Sequence, residues 1–200
     1  LIAIIDYGAG NLFSVQNALS YLDIPHQVTD DPQVIERANG IILPGVGAFP
    51  DAMNKLGDRR LIPVLRKEAQ KKPFLGICLG LQLLFEGSEE SSGVEGLGLL
   101  KGGIYRIPEK EGLKIPHIGW NSLDLKNNGR LFAGLEKNPY VYFVHSYYLR
   151  AAEPSVGKAT TEYGVTIDAS VEKDQLFACQ FHPEKSSATG LRILRNFAEL

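Results

Sequence analysis

Cysteine is scarce in this sequence. Two in 200 residues cannot form a secreted disulfide framework, so a reducing, cytoplasmic setting is expected. An excess of one charge is also lacking: 21 Lys and Arg stand against 23 Asp and Glu, a net of −2. With no block of about five like charges, a basic nucleic-acid binder and an acidic tail are both argued against. No apolar run approaches the roughly 18 residues of a membrane span. The first residues, Leu1-Ile2-Ala3-Ile4-Ile5, have no charged segment before them and no small-residue cleavage site after them, so no export signal is expected. No His/Cys spacing resembles a zinc site, and neither a metal nor a cofactor is expected. Internal repeats, linkers and low-complexity segments are missing too, so residues 1–200 are expected to form one domain.

What is present is enough apolar material, 44% of the residues, for a sizeable core without staples. The first half alternates strand and helix. Leu1–Asp6 reads as a buried strand, and Leu12, Val15, Leu19 and Leu22 fall on one face of a helix over Asn11–Leu22. A strand at His26–Thr29, a helix opened by Pro32 and a strand at Gly40–Leu43 follow. Helices are expected at Asp51–Leu56 and Leu61–Lys71, a strand at Pro73–Ile77 and a helix at Leu79–Phe85. This alternation implies a parallel sheet. After Glu86 the pattern changes: Gly87–Gly96 reads as a loop. Strands then dominate at Gly103–Ile107, Ile115–Leu125, Tyr140–Leu149, Val156–Tyr163, Val165–Val171 and Leu176–Phe181. Their spacing suggests antiparallel hairpins, with turns at Asn127-Asn128-Gly129 and Tyr163-Gly164-Val165. A last helix begins near Ser186 and presents Leu191, Leu194, Phe197 and Ala198 on one side.

The most informative segment is Gly76-Ile77-Cys78-Leu79-Gly80, between a buried strand and a helix. Gly-x-Cys-x-Gly in that context is a nucleophile elbow with a thiol in place of a hydroxyl. The glycines two residues either side remove side chains that would clash, and the helix start offers free N–H groups that favour a thiolate. A buried, unreactive cysteine in a glycine-rich bend is the alternative. A thiol nucleophile needs a base, and the base needs an orienting group. Of His26, His117, His145 and His182, only His182 closes a strand and precedes an acid at i+2, Glu184. In extended chain those two side chains share a side; an exposed His-Pro-Glu turn is the plainer reading of the tripeptide alone. Pro44-Gly45-Val46-Gly47-Ala48-Phe49 closes a parallel strand, where an N–H of Val46 or Gly47, with that of Leu79, could hold an oxyanion. A plain strand–helix turn is its alternative. Tyr7-Gly8-Ala9-Gly10-Asn11 fails as a dinucleotide fingerprint because Phe13 takes the third glycine position, so a tight turn near the site is expected. Cys179 reads as a small core residue and His26 as a sheet-edge residue.

Gly76–Gln82 with His182-Pro183-Glu184 resembles the class I (triad) glutamine amidotransferases. Asp6–Leu12, Pro44–Phe49, Leu84–Glu90, Pro116–Asn121 and Tyr142–Tyr148 narrow the resemblance to the glutaminase subunits of imidazole glycerol phosphate synthase, from histidine biosynthesis. It runs from residue 1 to 200. It implies an α/β fold: a flavodoxin-like three-layer sandwich with a mostly parallel central sheet and an added antiparallel β-rich portion in the second half. It also implies Cys78 as nucleophile, His182 as base and acid, and Glu184 as its orienter. Gln82 and the backbones of Gly47, Ser146 and Tyr147 would contact glutamine. Asn11, Trp120, Tyr142 and Lys185 would face a (β/α)8-barrel cyclase in a heterodimer, to which the ammonia passes. The resemblance further implies that Val46, where sibling enzymes carry Gly, leaves the resting oxyanion peptide turned away, with weak activity until the liganded cyclase binds. Trp120 as a plain hairpin aromatic and Lys185 as a solvated charge are the alternatives there. Three rival readings remain at this point: an amidotransferase for pyridoxal phosphate, purine or anthranilate synthesis, a stand-alone cysteine hydrolase, or a non-enzymatic binding module.

Overall fold

A computed structural model describes residues 1–126 and 129–200; Asn127 and Asn128 of the expected turn lie outside them. The first half alternates as the periodicity requires. It runs β1 (Ile2–Ile5), α1 (Leu12–Tyr21), β2 (His26–Thr29), α2 (Pro32–Arg37), β3 (Gly40–Gly45), α3 (Phe49–Asp58), α4 (Ile62–Glu68), β4 (Phe74–Cys78) and α5 (Leu79–Leu83). Local chemistry sets the helix starts. The Asn11 side chain caps α1 by accepting from the Ser14 N–H, and Asp31 caps α2 ahead of Pro32.

The strands after α5 are β5 (Gly87–Ser88), β6 (Ser91–Glu95), β7 (Gly102–Arg106), β8 (His117–Ser122), β9 (Asp124–Leu125), β10 (Tyr140–His145), β11 (Tyr147–Ala151), β12 (Gly157–Glu162), β13 (Thr166–Lys173) and β14 (Leu176–Cys179), before α6 (Ser187–Ala198). The main sheet has the order β2-β1-β3-β4-β14-β13-β12-β9, with β2, β1, β3, β4 and β14 parallel and the rest antiparallel. That is the 2-1-3-4-5 order of flavodoxin-like sheets, with β14 arriving late in the chain to take the fifth place. His26 lies on its edge strand.

Strand alternation divides the core between the sheet's two faces. Ile5, Ile41, Leu43 and Phe74 point to one side with Leu56, Val64 and Leu65 of α3 and α4. Ile2, Ile4, Ile42, Leu75 and Ile77 point to the other with Val15 and Leu19 of α1 and Ile193, Leu194 and Phe197 of α6. The central strands are apolar throughout because both faces are covered, which gives the three layers. On α6, Leu191 and Ala198 are only half-buried, and Ile193 takes the deeper place.

Two expectations for the second half need correction. Gly87–Gly96 is not a loop: β5 and β6 form a hairpin at one side of a four-stranded sheet, order β11-β7-β5-β6. Half-exposed or exposed, its residues are held by ladder pairing rather than by burial, so no apolar alternation marks them. Tyr140–Leu149 is not one strand. It divides at Ser146: β10 pairs with β8, and β11 with β7 in a different sheet. Ile115–Leu125 divides likewise into β8 and β9. The alternation runs straight through the hand-over at Ser146, so only the pairing partners reveal it.

Candidate active site

The C-terminal ends of β1, β3, β4 and β14 meet at one end of the sheet, and a cleft of about 350 Å³ opens there. Cys78, His182, Val46, Gly47, Leu79, Gln82, Ser146, Tyr147 and Lys185 all line it. The residues singled out for the chemistry therefore converge, although pairs such as Gln82 and Tyr147 are 65 positions apart.

Cys78 ends β4 and opens α5 with φ 54°, ψ −109°, a positive φ that an L-residue adopts only under constraint. The flanking glycines provide the constraint. A Cβ on Gly76 would lie 2.6 Å from the Gly80 carbonyl oxygen, and one on Gly80 would lie 1.8 Å from that of Leu43. Gly45, beside Cys78 in the β3–β4 register, faces the Tyr7 hydroxyl, which a Cβ would meet at 2.7 Å. That hydroxyl donates to the Pro44 carbonyl at 2.9 Å, and burial and the charge of Cys78 keep the phenol protonated far above its usual range. Tyr7–Gly10 is thus the tight turn expected, with Gly8 at φ 82° and Gly10 at φ 107°. Gly47 differs from these: no atom lies within 4 Å of a Cβ placed there, and its φ of 96° alone calls for glycine.

His182 sits 3% exposed where the chain leaves β14, its N–H donating to the Tyr142 carbonyl at 2.9 Å. Its Nδ1 lies 2.8 Å from Glu184 Oε1, and the Glu184 side chain is 2% exposed. Burial pulls the imidazole's pKa down. Hydrogen bonds to Cys78 and Glu184, and the negative charges of both, outweigh it and push it up to about 10. A proton is therefore held on His182 at neutral pH whenever the sulfur beside it carries charge. Cys179 fares differently: fully buried, facing Glu184 and Cys78, its thiol is pushed well above its ordinary value and stays protonated. Among the described residues no cluster of His, Cys, Asp and Glu could hold a metal ion, and no helix is long and apolar enough to cross a membrane.

Four residues at or behind the cleft were given no role by the sequence reading. Glu90 of the β5–β6 hairpin lines it and accepts from the Phe49 N–H at 2.9 Å, at the start of α3. Gln180 is completely buried and contacts both Cys78 and Gln82. His117 and His145 face each other across the β8–β10 pair, with His117 Nδ1 2.9 Å from His145 Nε2. His145 Nδ1 donates to the Tyr147 carbonyl at 2.8 Å, which leaves Nε2 as the acceptor.

Burial pushes the His145 imidazole down to about 3 and lowers that of His117 as well. The sign follows: between pH 6.5 and about 3 the unfolded chain binds a proton at residue 145 that the folded one refuses. Stability contributed by this site is complete above 6.5 and drains away as pH falls, by up to about 1.4 kcal/mol per pH unit. Urea midpoints measured from pH 7 to pH 4 should fall more steeply for the parent than for His145→Asn. Equal slopes would place the titrating group elsewhere.

Of the residues implied for a partner surface, Trp120 and Tyr142 are opposite one another on β8 and β10, rings edge to face at 5.9 Å. Trp120 is 48% exposed, and Ile118 and Tyr140 beside it are exposed too. Lys185 stands at the cleft mouth, exposed. Asn11 spends its side-chain oxygen on the α1 cap, and α1 packs against the Pro183–Lys185 turn.

The model of the family described as "Glutamine amidotransferase class-I" matches residues 3–200. The chain is 53% identical to the imidazole glycerol phosphate synthase subunit HisH of Moorella thermoacetica, over all of this chain and 94% of that one. It is 52% identical to the subunit of the same name from Methanothermobacter thermautotrophicus, covering 98% of it. Among solved structures, a glutamine amidotransferase superposes with a TM-score of 0.78 at 19% identity, over 99% of this chain and 97% of the other. PurLQS from Thermotoga maritima superposes at 0.75, also at 19% identity, over 99% and 97%.

Proposed function

The chain belongs to the class-I glutamine amidotransferase family, and on that premise we propose that it is the glutaminase subunit of an imidazole glycerol phosphate synthase. It hydrolyses glutamine to glutamate and delivers the ammonia to a cyclase subunit, which forms imidazole glycerol phosphate and aminoimidazole carboxamide ribotide. The observation that carries the reading is a cysteine at positive φ beside a buried His182–Glu184 pair, in the wall of one cleft. Half-identical relatives across the whole chain support the choice of synthase.

The chemistry follows from the geometry. Cys78 gives its proton to His182, and the sulfur attacks the side-chain carbonyl carbon of glutamine. The carbonyl oxygen takes the negative charge beside the Leu79 N–H and the Val46–Gly47 segment. His182, held in one tautomer by Glu184, returns the proton to the nitrogen as the C–N bond breaks, and ammonia leaves a glutamyl thioester. Water then loses a proton to His182, attacks the thioester carbon and frees glutamate; the proton goes back to the sulfur. Gln82 and the backbones of Gly47, Ser146 and Tyr147 hold the substrate. The Glu90 carboxylate in the same cleft is suited to its ammonium group.

The partner is a (β/α)8-barrel cyclase bound as a heterodimer in the cytoplasm. Asn11, Trp120, Tyr142 and Lys185 face it, and the exposed Ile118, Trp120 and Tyr140 support that side as the contact. The deciding measurement is glutamate release by the chain alone and with a cyclase subunit carrying its nucleotide ligand. Activation of about 100-fold is expected, through reorientation of the Val46–Gly47 peptide. Turnover indifferent to the cyclase would break the pathway assignment and leave the triad standing.

A further inference from the structure

We infer that Gln180 is a further catalytic residue: its side-chain amide donates an N–H to the sulfur of Cys78 and steadies the charge that forms there. Gln180 Nε2 lies 3.6 Å from Cys78 Sγ, and its Oε1 lies 3.2 Å from Gln82 Nε2. Gln82 Nε2 also lies 3.2 Å from the Tyr147 carbonyl oxygen.

The amide orientations follow from one fixed acceptor. The Tyr147 carbonyl can only accept, so Gln82 must turn its NH2 toward it. The same NH2 then faces Gln180, which must answer with its oxygen; a nitrogen there would set donor against donor. The Gln180 NH2 is thereby forced toward the sulfur. The Tyr147 carbonyl is itself pinned by the His145 Nδ1–H at 2.8 Å, and His145 by His117 behind it. A chain of oriented hydrogen bonds thus runs from the β8–β10 pair to the nucleophile, and all of it serves to aim one N–H.

The sulfur has different neighbours in its two forms. As a thiol it donates to the Val144 carbonyl at 3.6 Å. Once its proton has gone to His182 that carbonyl offers nothing, and the Gln180 N–H becomes the uncharged donor to the anion. Gln180 is completely buried, so no water competes for the bond, and a donor to a charged atom in such a place is worth more than one at the surface.

This inference rests on Cys78 being the nucleophile but not on the choice of synthase, so the test needs neither glutamine nor a cyclase. The rate of Cys78 alkylation by iodoacetamide is followed by peptide mass across pH 5–10, for the parent and for Gln180→Met, which keeps length and removes the donor. The variant is expected to react about ten-fold more slowly at pH 7, with its profile moved up by about one pH unit. A merely structural glutamine would leave the profile in place, and superimposable curves overturn the proposal. A parent thiol no more reactive at pH 7 than free cysteine would instead overturn the nucleophile assignment. Should Gln180→Met fail to fold, the parent supplies the answer by NMR. The Gln180 side-chain amide protons should shift with the same pH midpoint as the alkylation, and resonances that stay still across that midpoint overturn the inference.

Discussion

Cys78→Ser is expected to abolish glutamine hydrolysis, a loss of at least about 1,000-fold, while cyclase binding stays intact. Serine keeps the shape of the elbow but not the chemistry. In the proposed mechanism the thiol proton passes to His182, whose pKa is carried up to about 10 by Cys78 and Glu184 together; a hydroxyl far less acidic than a thiol gains much less from the same partners. No second thiol can substitute, since Cys179 is fully buried with its proton held firmly. The check is glutamate release with and without a liganded cyclase, beside a titration of complex formation. Retained turnover would move the nucleophile elsewhere. Lost binding together with lost turnover would mean that the substitution had disturbed the fold rather than the reaction.

The next largest effect is expected from Gly80→Ala, a change of one methyl group. Its Cβ would stand 1.8 Å from the carbonyl oxygen of Leu43, inside any contact distance. That oxygen cannot retreat, because β3 is paired on one side with β1 and on the other with β4. Either the elbow moves or the strand does, at a cost above about 3 kcal/mol. For a chain of this size that lowers the thermal midpoint by more than about 6 °C and removes activity through the displaced sulfur. Gly47→Ala is the control. With open space around its Cβ and only a φ of 96° against it, it should cost about 1 kcal/mol. Comparable melting of the two variants would show that the close approach at Gly80 is not what holds Cys78 at positive φ.

The local part of the design was legible without coordinates. Continuous apolar strands, the Pro32 helix start, the glycines around Cys78 and the His182/Glu184 spacing are all set by neighbours within a few residues. The corresponding elements lie within a residue or two of where the pattern puts them, apart from α4, which ends three residues earlier, at Glu68 rather than Lys71. The edge hairpin of β5 and β6 was hidden because pairing, not burial, creates it. The break at Ser146 was hidden because the residues on its two sides look alike and differ only in their partners, β8 for one and β7 for the other.

By itself, the sequence determined what each segment could do: a bent strand end that exposes a thiol, an imidazole with its carboxylate, a glycine turn able to approach an oxyanion. Only the tertiary structure decided that they would do it together. The parallel pairing of β14 with β4 brings His182 beside Cys78, and the same pairing sets Gln180 against the sulfur. The His117–His145 contact likewise depends on the β8–β10 register. Spacing along the chain records bonds and local periodicity. Contacts across a hundred residues depend on which strands choose one another, and that choice belongs to the packed core as a whole.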